Sequence, residues 1–198
     1  MTANKSGRPR EFVLSQAADK AMRVFWARGY EGASMDELTR AMGISKPSIY
    51  AAFGDKRGLF DAALERYNSG PRGFTTKAMA LPAVKQAVTA LLHGIVEVST
   101  RRNGPRGCLQ THAALACGVE AEEVRDLMAR KRIAGEGRLQ DRLRKAVKSG
   151  ELPAGTDTAR LAKYVATVAN GITVQGASGA SRKELKEVVA MAMRVWPE

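Results

Sequence analysis

Two short helical segments on either side of Gly43 constrain the fold more than any other feature of the chain. Ser34 is followed three residues later by Glu37, which is the spacing of a capping box, so we expect a helix to begin directly after Ser34. Gly43 ends that helix, Ser45 can cap the next one, and Pro47 falls in its first turn, where no backbone hydrogen bond is lost. Two short helices joined at a glycine predict a helix-turn-helix.

The second of these helices is polar at its front. In a helix-turn-helix this end enters the major groove of DNA, where its side chains face base edges and phosphates. Ser45, Lys46 and Ser48 stand there. Tyr50 lies one turn later, within reach of a phosphate, whereas Ile49 faces the core. The polarity therefore predicts contact with duplex DNA.

Positive charges open the helix that follows. The dipole of a helix disfavours cations at its N-terminus by about 0.3–1 kcal/mol each, yet Lys56 and Arg57 stand there. A phosphate at this helix end would gain from the cations and from the free backbone amides. In the N-terminal arm, Arg8 and Arg10 flank Pro9 and would fit a narrow minor groove, or they belong to a solvated tail.

The rest of the 198-residue chain shows helical spacing of apolar residues and no strand-like alternation, which predicts an all-α fold. A first helix ends at Gly29, and a fourth begins at Asp55. Gly70 to Gly73 form a break. Five more helices are expected over 82–102, 108–117, 120–148, 157–176 and 181–196, making about nine in all.

Charge and composition limit the class of partner. A net charge of +12 and an isoelectric point near 10.1 favour a polyanionic partner. The apolar runs are too short to span a membrane, and the N-terminus lacks the apolar core of a signal peptide, so we expect a cytoplasmic protein without a membrane partner. The motifs of nucleotide, metal and cofactor sites are missing, so no cofactor and no metal are expected.

The N-terminal 65 or so residues resemble the DNA-binding domain of TetR-type (tetracycline-repressor-type) transcriptional regulators. The resemblance implies a homodimer with a divergent C-terminal effector domain, in which Lys46, Ser48 and Tyr50 contact the operator and Lys56 holds a phosphate. One departure is Arg57-Gly58, which predicts a looser and more cationic first turn of the fourth helix. The resemblance rests on Phe25, Gly29, Tyr30, Ser34, Met35, Ile44, Ser45, Ile49, Tyr50, Phe53, Lys56, Leu59 and Phe60.

This frame divides the chain into three parts. We expect a flexible basic arm over 1–10, a helix-turn-helix domain with a linking helix over 11–68, and an effector-binding and dimerisation domain over 69–198. DNA contacts are assigned to Arg8, Arg10, Ser34, Ser45, Lys46, Ser48, Tyr50 and Lys56. An effector pocket is assigned to Leu92, Val96, Cys108, His112, Leu115, Leu127 and Val168.

Two apolar stripes on the last two long helices are read as the seam with a second subunit. Such stripes by default belong to the core of one chain, but in the resembling regulators these helices pair with those of a second subunit in a four-helix bundle. The assigned residues are Leu161, Val165, Val168, Ile172, Leu185, Val188, Val189, Ala192 and Trp196. The net charge of +8 over 58–198, from 22 Lys/Arg and 14 Asp/Glu, leaves room for an anionic effector paired with an arginine.

Three functions compete on this evidence. The first is a ligand-responsive regulator, a repressor released from a palindromic operator by a small apolar molecule. The second is a thiol-based redox or electrophile sensor, because Cys108 follows several arginines and begins a predicted helix, features that raise the reactivity of a thiol. The third is a small helical enzyme using Cys108 and His112, which lie four residues apart.

Overall fold

The computed structural model describes residues 10–115 and 121–197, and every regular element within them is helical. The all-α prediction is confirmed. The ten α-helices of the described residues are α1 (Arg10–Gly32), α2 (Met35–Met42), α3 (Lys46–Phe53), α4 (Lys56–Ser69), α5 (Phe74–Met79), α6 (Val84–Ser99), α7 (Leu109–Leu115), α8 (Glu122–Lys148), α9 (Thr158–Ala177) and α10 (Arg182–Ala192).

Helices α1 to α4 enclose an aromatic core. Phe25 and Trp26 of α1 are fully buried, as is Phe60 of α4. The rings of Phe25 and Phe60 meet edge to face with centroids 5.2 Å apart, a favoured arrangement for aromatic pairs. Gly29 leaves the helical conformation at φ 73°, as its predicted capping role requires, although a further helical turn carries α1 on to Gly32.

Helix α5 was not predicted, because it lies in the stretch that the Gly70–Gly73 break and its flanks suggested was irregular. It has only six residues, and no side chain caps its start. Such a helix leaves no local signature and depends on tertiary packing. Phe74 supplies that packing, since a Cβ added to Gly94 of α6 would lie only 2.1 Å from the Phe74 ring.

A second core joins α6, α8, α9 and α10. Val88 and Leu92 of α6 are buried against Leu143 of α8, Val165 of α9 and Val189 of α10. The first core also reaches beyond α4, because Cys108, Leu109 and Ala113 near α7, with Val124 and Met128 of α8, belong to it. The helix-turn-helix part thus shares buried surface with the C-terminal part.

Within the described ranges, no helix is both long and apolar enough to cross a membrane.

Candidate nucleic-acid interface and effector cavity

Helices α2 and α3 are positioned by caps that their own residues supply. The Ser34 hydroxyl accepts a hydrogen bond from the Glu37 amide at 3.1 Å, and Ser45 accepts one from the Ser48 amide. Gly43 adopts φ 73° between the two helices, a left-handed conformation that other residues rarely adopt. These local hydrogen bonds fix the turn and set the direction of α3.

The front of α3 is exposed on one side and anchored on the other. Ser45, Lys46, Ser48 and Tyr50 are exposed, and Tyr50 retains 48% of its accessible surface, while Ile49 is completely buried. The hydroxyl oxygens of Ser45 and Ser48 lie 2.9 Å apart. The predicted DNA-contacting side chains therefore stand together on an open surface.

Lys46 is held by an acidic residue of the preceding helix. Its ammonium lies 2.7 Å from Oδ1 of Asp36. The hydrogen bond between them raises the pKa of Lys46 and lowers the pKa of Asp36. Both side chains are exposed, so this pair orients Lys46 without burying it. Asp36 was not among the predicted site residues, although its position in the first turn of α2 was visible in the sequence.

The start of α4 differs from the expectation of a loose turn. Asp55 Oδ1 accepts a hydrogen bond from the Gly58 amide at 2.7 Å, and a Cβ on Gly58 would lie 2.0 Å from the Phe53 carbonyl oxygen. The prediction of looseness is wrong, because Gly58 permits a close approach of α4 to the end of α3. Arg57 pairs with Asp61 and Glu123, each at 3.1 Å, so its charge is offset.

Lys56 stands over an aromatic ring. Its ammonium is 4.8 Å from the centroid of Tyr30, a cation–π distance. Burial, with the nearby Asp55 carboxylate, raises the pKa of Tyr30, so the ring carries no negative charge near neutral pH. Lys56 therefore points from the N-terminal end of α4 with a defined orientation. Of the predicted arm residues, Arg8 lies outside the described residues and Arg10 is the first residue of α1.

A cavity of about 60 Å³ opens between α4, α5, α6, α7 and α9. Its wall combines four apolar residues with several polar ones and one arginine. It is lined by Tyr67, Arg72, Phe74, Ile95, Val98, Ser99, Cys108, Thr111, Ala169, Asn170 and Thr173.

Of the pocket residues that the sequence suggested, Cys108 lines this cavity, and Leu92, Val96, His112, Leu127 and Val168 stand elsewhere. Leu92 and Val96 are buried in the core of the C-terminal part, and Val168 packs against it. Leu127 packs against the first core, and His112 faces the Trp26 carbonyl oxygen. Leu115 is the last residue of α7. Periodicity identified apolar faces correctly but could not distinguish a core face from a cavity wall.

The sequence did not nominate the remaining ten lining residues. Arg72 falls in the segment read as a break, and Ser99 is a polar residue on the buried face of α6. The sequence signal for this part of the cavity was a serine, Ser99, at a position where the helical spacing of α6 predicts an apolar residue.

The two stripes assigned to a subunit seam lie mostly inside one chain. A side chain that is packed within its own chain offers little surface to a partner. Leu161, Val165, Ile172, Leu185, Val189, Ala192 and Trp196 are buried, and Val168 is half-buried. Only Val188 among the assigned residues is exposed, at 45%.

A different stripe on the same helices is open. On α9 it contains Tyr164 and Val174, with Gly171 between them at a position that adjoins open space. On α10 and the 3₁₀ turn that follows it contains Val188, Met191 and Val195, at spacings of three and four residues. A shallow groove of about 440 Å³ lies beside Tyr164 and Val195.

Cys108 is buried at 4% exposure, which shields its thiol from solvent oxidants and does not favour the sensor hypothesis. Its sulfur lies 4.0 Å from Arg72 Nη1. The ring of His112 turns instead to the Trp26 carbonyl oxygen, 3.1 Å from Nδ1. The pairing that the enzyme hypothesis requires is therefore not formed between these two described side chains.

Two family profiles match the chain. One, described as bacterial regulatory proteins, tetR family, covers residues 18–63. The other, described as tetracyclin repressor-like, C-terminal domain, covers residues 84–192.

Similar curated proteins and solved structures extend over nearly the whole chain. The repressor ComR of Escherichia coli strain K12 is 30% identical over 97% of this chain and 92% of its own length. The repressor BdcR of the same strain is 27% identical over 94% and 90%. A cysteine mutant of the TetR family regulator CifR, solved with 26-bp double-strand operator DNA, is 41% identical, with a TM-score of 0.90 over 96% of this chain and 100% of that one. A regulator from Rhodococcus sp. RHA1 is 42% identical, with a TM-score of 0.64 over 92% and 98%.

Proposed function

The chain belongs to the TetR family of bacterial regulatory proteins, and on that premise we propose that it is a homodimeric transcriptional repressor whose operator is released when a small molecule enters the cavity between α4 and α9. The observation that supports this most directly is the exposed polar front of α3 above the buried Ile49. A helix that is held to the core on one side and exposes a polar first turn on the other is the arrangement that recognises bases in a major groove.

Operator recognition divides between two kinds of contact. Lys46 and Ser48 stand at the front of α3, where side chains reach base edges, so they set sequence preference. Tyr50 lies one turn along and Lys56 begins α4, so they bind phosphates and set affinity. Ser34 and Ser45 cap their helices, and their exposed hydroxyls face the same phosphate backbone of the DNA.

A second copy of the chain covers the open stripe of Tyr164, Val174, Val188, Met191 and Val195. An exposed apolar surface that continues across two neighbouring helices is typical of a subunit interface. The two-fold symmetry of such a dimer requires a palindromic operator, whose half-sites are separated by about one helical turn of DNA or a multiple of it.

The effector acts through the walls of the cavity. Tyr67 lies on α4, which follows α3 after a short turn and packs on it, and Thr111 lies on α7, which packs on α1. A ligand that widens this space shifts α7 relative to α4, and hence the separation of the two reading heads of the dimer. The effector can weaken DNA binding only by the difference between its binding free energies for the two arrangements. This coupling free energy is typically 1–3 kcal/mol.

Selection of duplexes from a random pool by the full-length protein tests the proposal. We expect enrichment of a palindrome, and in vitro transcription from a promoter that overlaps this site should fall when the protein is added. Lys46→Ala should change which sequences are enriched, whereas Tyr50→Phe should weaken binding to all of them.

Two outcomes would contradict the proposal. Enrichment of an asymmetric single site would exclude the dimeric reader, and stimulated transcription from the palindrome would exclude repression.

A further inference from the structure

Resting on the proposal that this cavity is the effector site, we infer that it takes a compact anion, a small carboxylate with a short apolar body, whose charge is held by Arg72.

The first observation is an arginine without an acid. Arg72 is the charged residue among those described around the cavity, and no Asp or Glu lines it. Its Nη1 donates to Gln110 Oε1 at 2.8 Å and approaches Cys108 Sγ at 4.0 Å. Gln110 carries no formal charge, so it satisfies part of the guanidinium's hydrogen-bonding capacity without balancing its charge. A partly buried cation of this kind is stabilised by an anion that binds beside it.

The second observation is a hydroxyl without a partner. Ser99 is 1% exposed, lines the cavity, and its Oγ makes no hydrogen bond within the described structure. A buried unsatisfied polar group in a native protein requires an explanation, and a bound ligand supplies one. The hydroxyl can donate to a carboxylate oxygen.

Tyr67 adds a third polar group to the wall of the cavity. Burial raises the pKa of Tyr67 well above its ordinary value, with the adjacent Cys108 adding to the effect, so the phenol stays protonated. Tyr67 lines the same cavity as Arg72 and Ser99, where its protonated hydroxyl is hydrogen-bonded to Cys108 and the Leu109 backbone. The polar wall therefore combines one cation with hydroxyl, amide and thiol groups, and no carboxylate is among the described lining residues, which suits an acceptor-rich anion.

The apolar wall fixes the size of the ligand body. Phe74, Ile95, Val98 and Ala169 form it. Phe74 cannot retreat towards α6, because its ring already lies against Gly94. The volume of about 60 Å³ leaves room for a chain of only a few carbon atoms beside the carboxylate.

The test compares butyrate with butyramide, which has nearly the same shape but no charge. Both are titrated into the full-length protein bound to its selected operator, and DNA release and thermal unfolding are recorded. We expect butyrate to release DNA and to raise the unfolding temperature at concentrations roughly tenfold or more below those of butyramide, since hydrogen bonds to charged groups are the stronger ones. Arg72→Gln should abolish this preference. Arg132→Gln, on the exposed side of α8, should leave it unchanged.

Each result decides between two ideas. If butyramide acts as well as butyrate, the anionic class is wrong and the cavity remains an effector site. If neither compound acts at millimolar concentration, the inference is wrong, and the repressor proposal is judged separately by operator selection. If Arg72→Gln does not fold, Arg72→Lys replaces it and should retain the preference for butyrate; equal responses of that variant to both compounds would overturn the role of this charge.

Discussion

His112 Nδ1 lies 3.1 Å from the carbonyl oxygen of Trp26 and joins α7 to α1. A carbonyl oxygen only accepts, so Nδ1 carries the proton in this contact. The ring is closely held, because a Cβ on Gly107 would lie 2.7 Å from its Nε2. Helix α7 also contributes Thr111 to the cavity, so one short helix contacts both the effector site and the frame of the DNA reader.

Replacing His112 by Phe should weaken that connection. The ring is retained and the hydrogen bond is lost, which should lower the free energy of unfolding by about 1 kcal/mol at fixed protein concentration, measured by urea denaturation. Release of the operator by an effector should require more ligand. His93→Phe is the control, because His93 Nδ1 has no hydrogen-bond partner in the described structure. An equal decrease in the free energy of unfolding for both variants would argue against a specific role for the His112 contact.

Lys56→Ala should reduce the salt dependence of operator binding, and Arg57→Gln should not. A phosphate contact contributes roughly −0.9 to the slope of log K against log salt concentration. Lys56 is oriented by the Tyr30 ring at the end of α4, whereas Arg57 is paired with Asp61 and Glu123. Fluorescence anisotropy with labelled operator at several salt concentrations measures both slopes. A larger change for Arg57→Gln would reverse the assignment of the phosphate contact.

Gly58→Ala should destabilise the protein and weaken DNA binding together. The new Cβ would lie 2.0 Å from the Phe53 carbonyl oxygen, so α4 and α3 must separate, at a cost of about 1–3 kcal/mol. Gly137→Ala is the matched control, because a Cβ at that position of α8 meets nothing within 4 Å. That variant should gain about 0.5–1 kcal/mol. The unfolding temperatures of the two variants are compared. An unchanged unfolding temperature for Gly58→Ala would show that the close approach is not required.

Val188→Asp should dissociate the dimer, and Ile133→Asp should not. Val188 is 45% exposed in the open stripe on α9 and α10, so a carboxylate there would be desolvated by a partner subunit. Ile133 is 71% exposed but stands apart on α8. Sedimentation equilibrium at micromolar concentration should find a monomer only for Val188→Asp. Charge at Val189 would be uninformative, because that side chain is buried within its own chain and its replacement would unfold the protein.

Asp36→Asn should strengthen operator binding at low salt. The change releases Lys46 from its ion pair and removes a negative charge from the surface that faces phosphate. The hydrogen bond to Lys46 depresses the pKa of Asp36, so the pair persists at neutral pH and is lost only as the pH falls through that lowered value. Wild-type affinity should therefore show no titration of Asp36 near neutrality. Weaker binding by Asp36→Asn would show that the pair instead holds Lys46 in its reading position.

The sequence by itself determined the helix-turn-helix and its reading face. Ser34, Gly43 and Ser45 act through hydrogen bonds and dihedral angles that span only a few residues, so their effects can be read in order along the chain. The exposure of Lys46 and the burial of Ile49 follow from the same short register.

Only the tertiary structure decided which apolar face meets which neighbour. Helix α9 is apolar on two sides, and periodicity alone does not tell whether Val165 or Tyr164 faces a partner subunit. In the structure Val165 is 2% exposed and Tyr164 is 37% exposed. The site of the cavity was equally hidden, since Arg72 in a glycine-rich break reaches Cys108 and Gln110 only when α5 folds back on α6. Such contacts join residues that are far apart in the chain, and burial of a face depends on the shape and position of its partner, which no local pattern encodes.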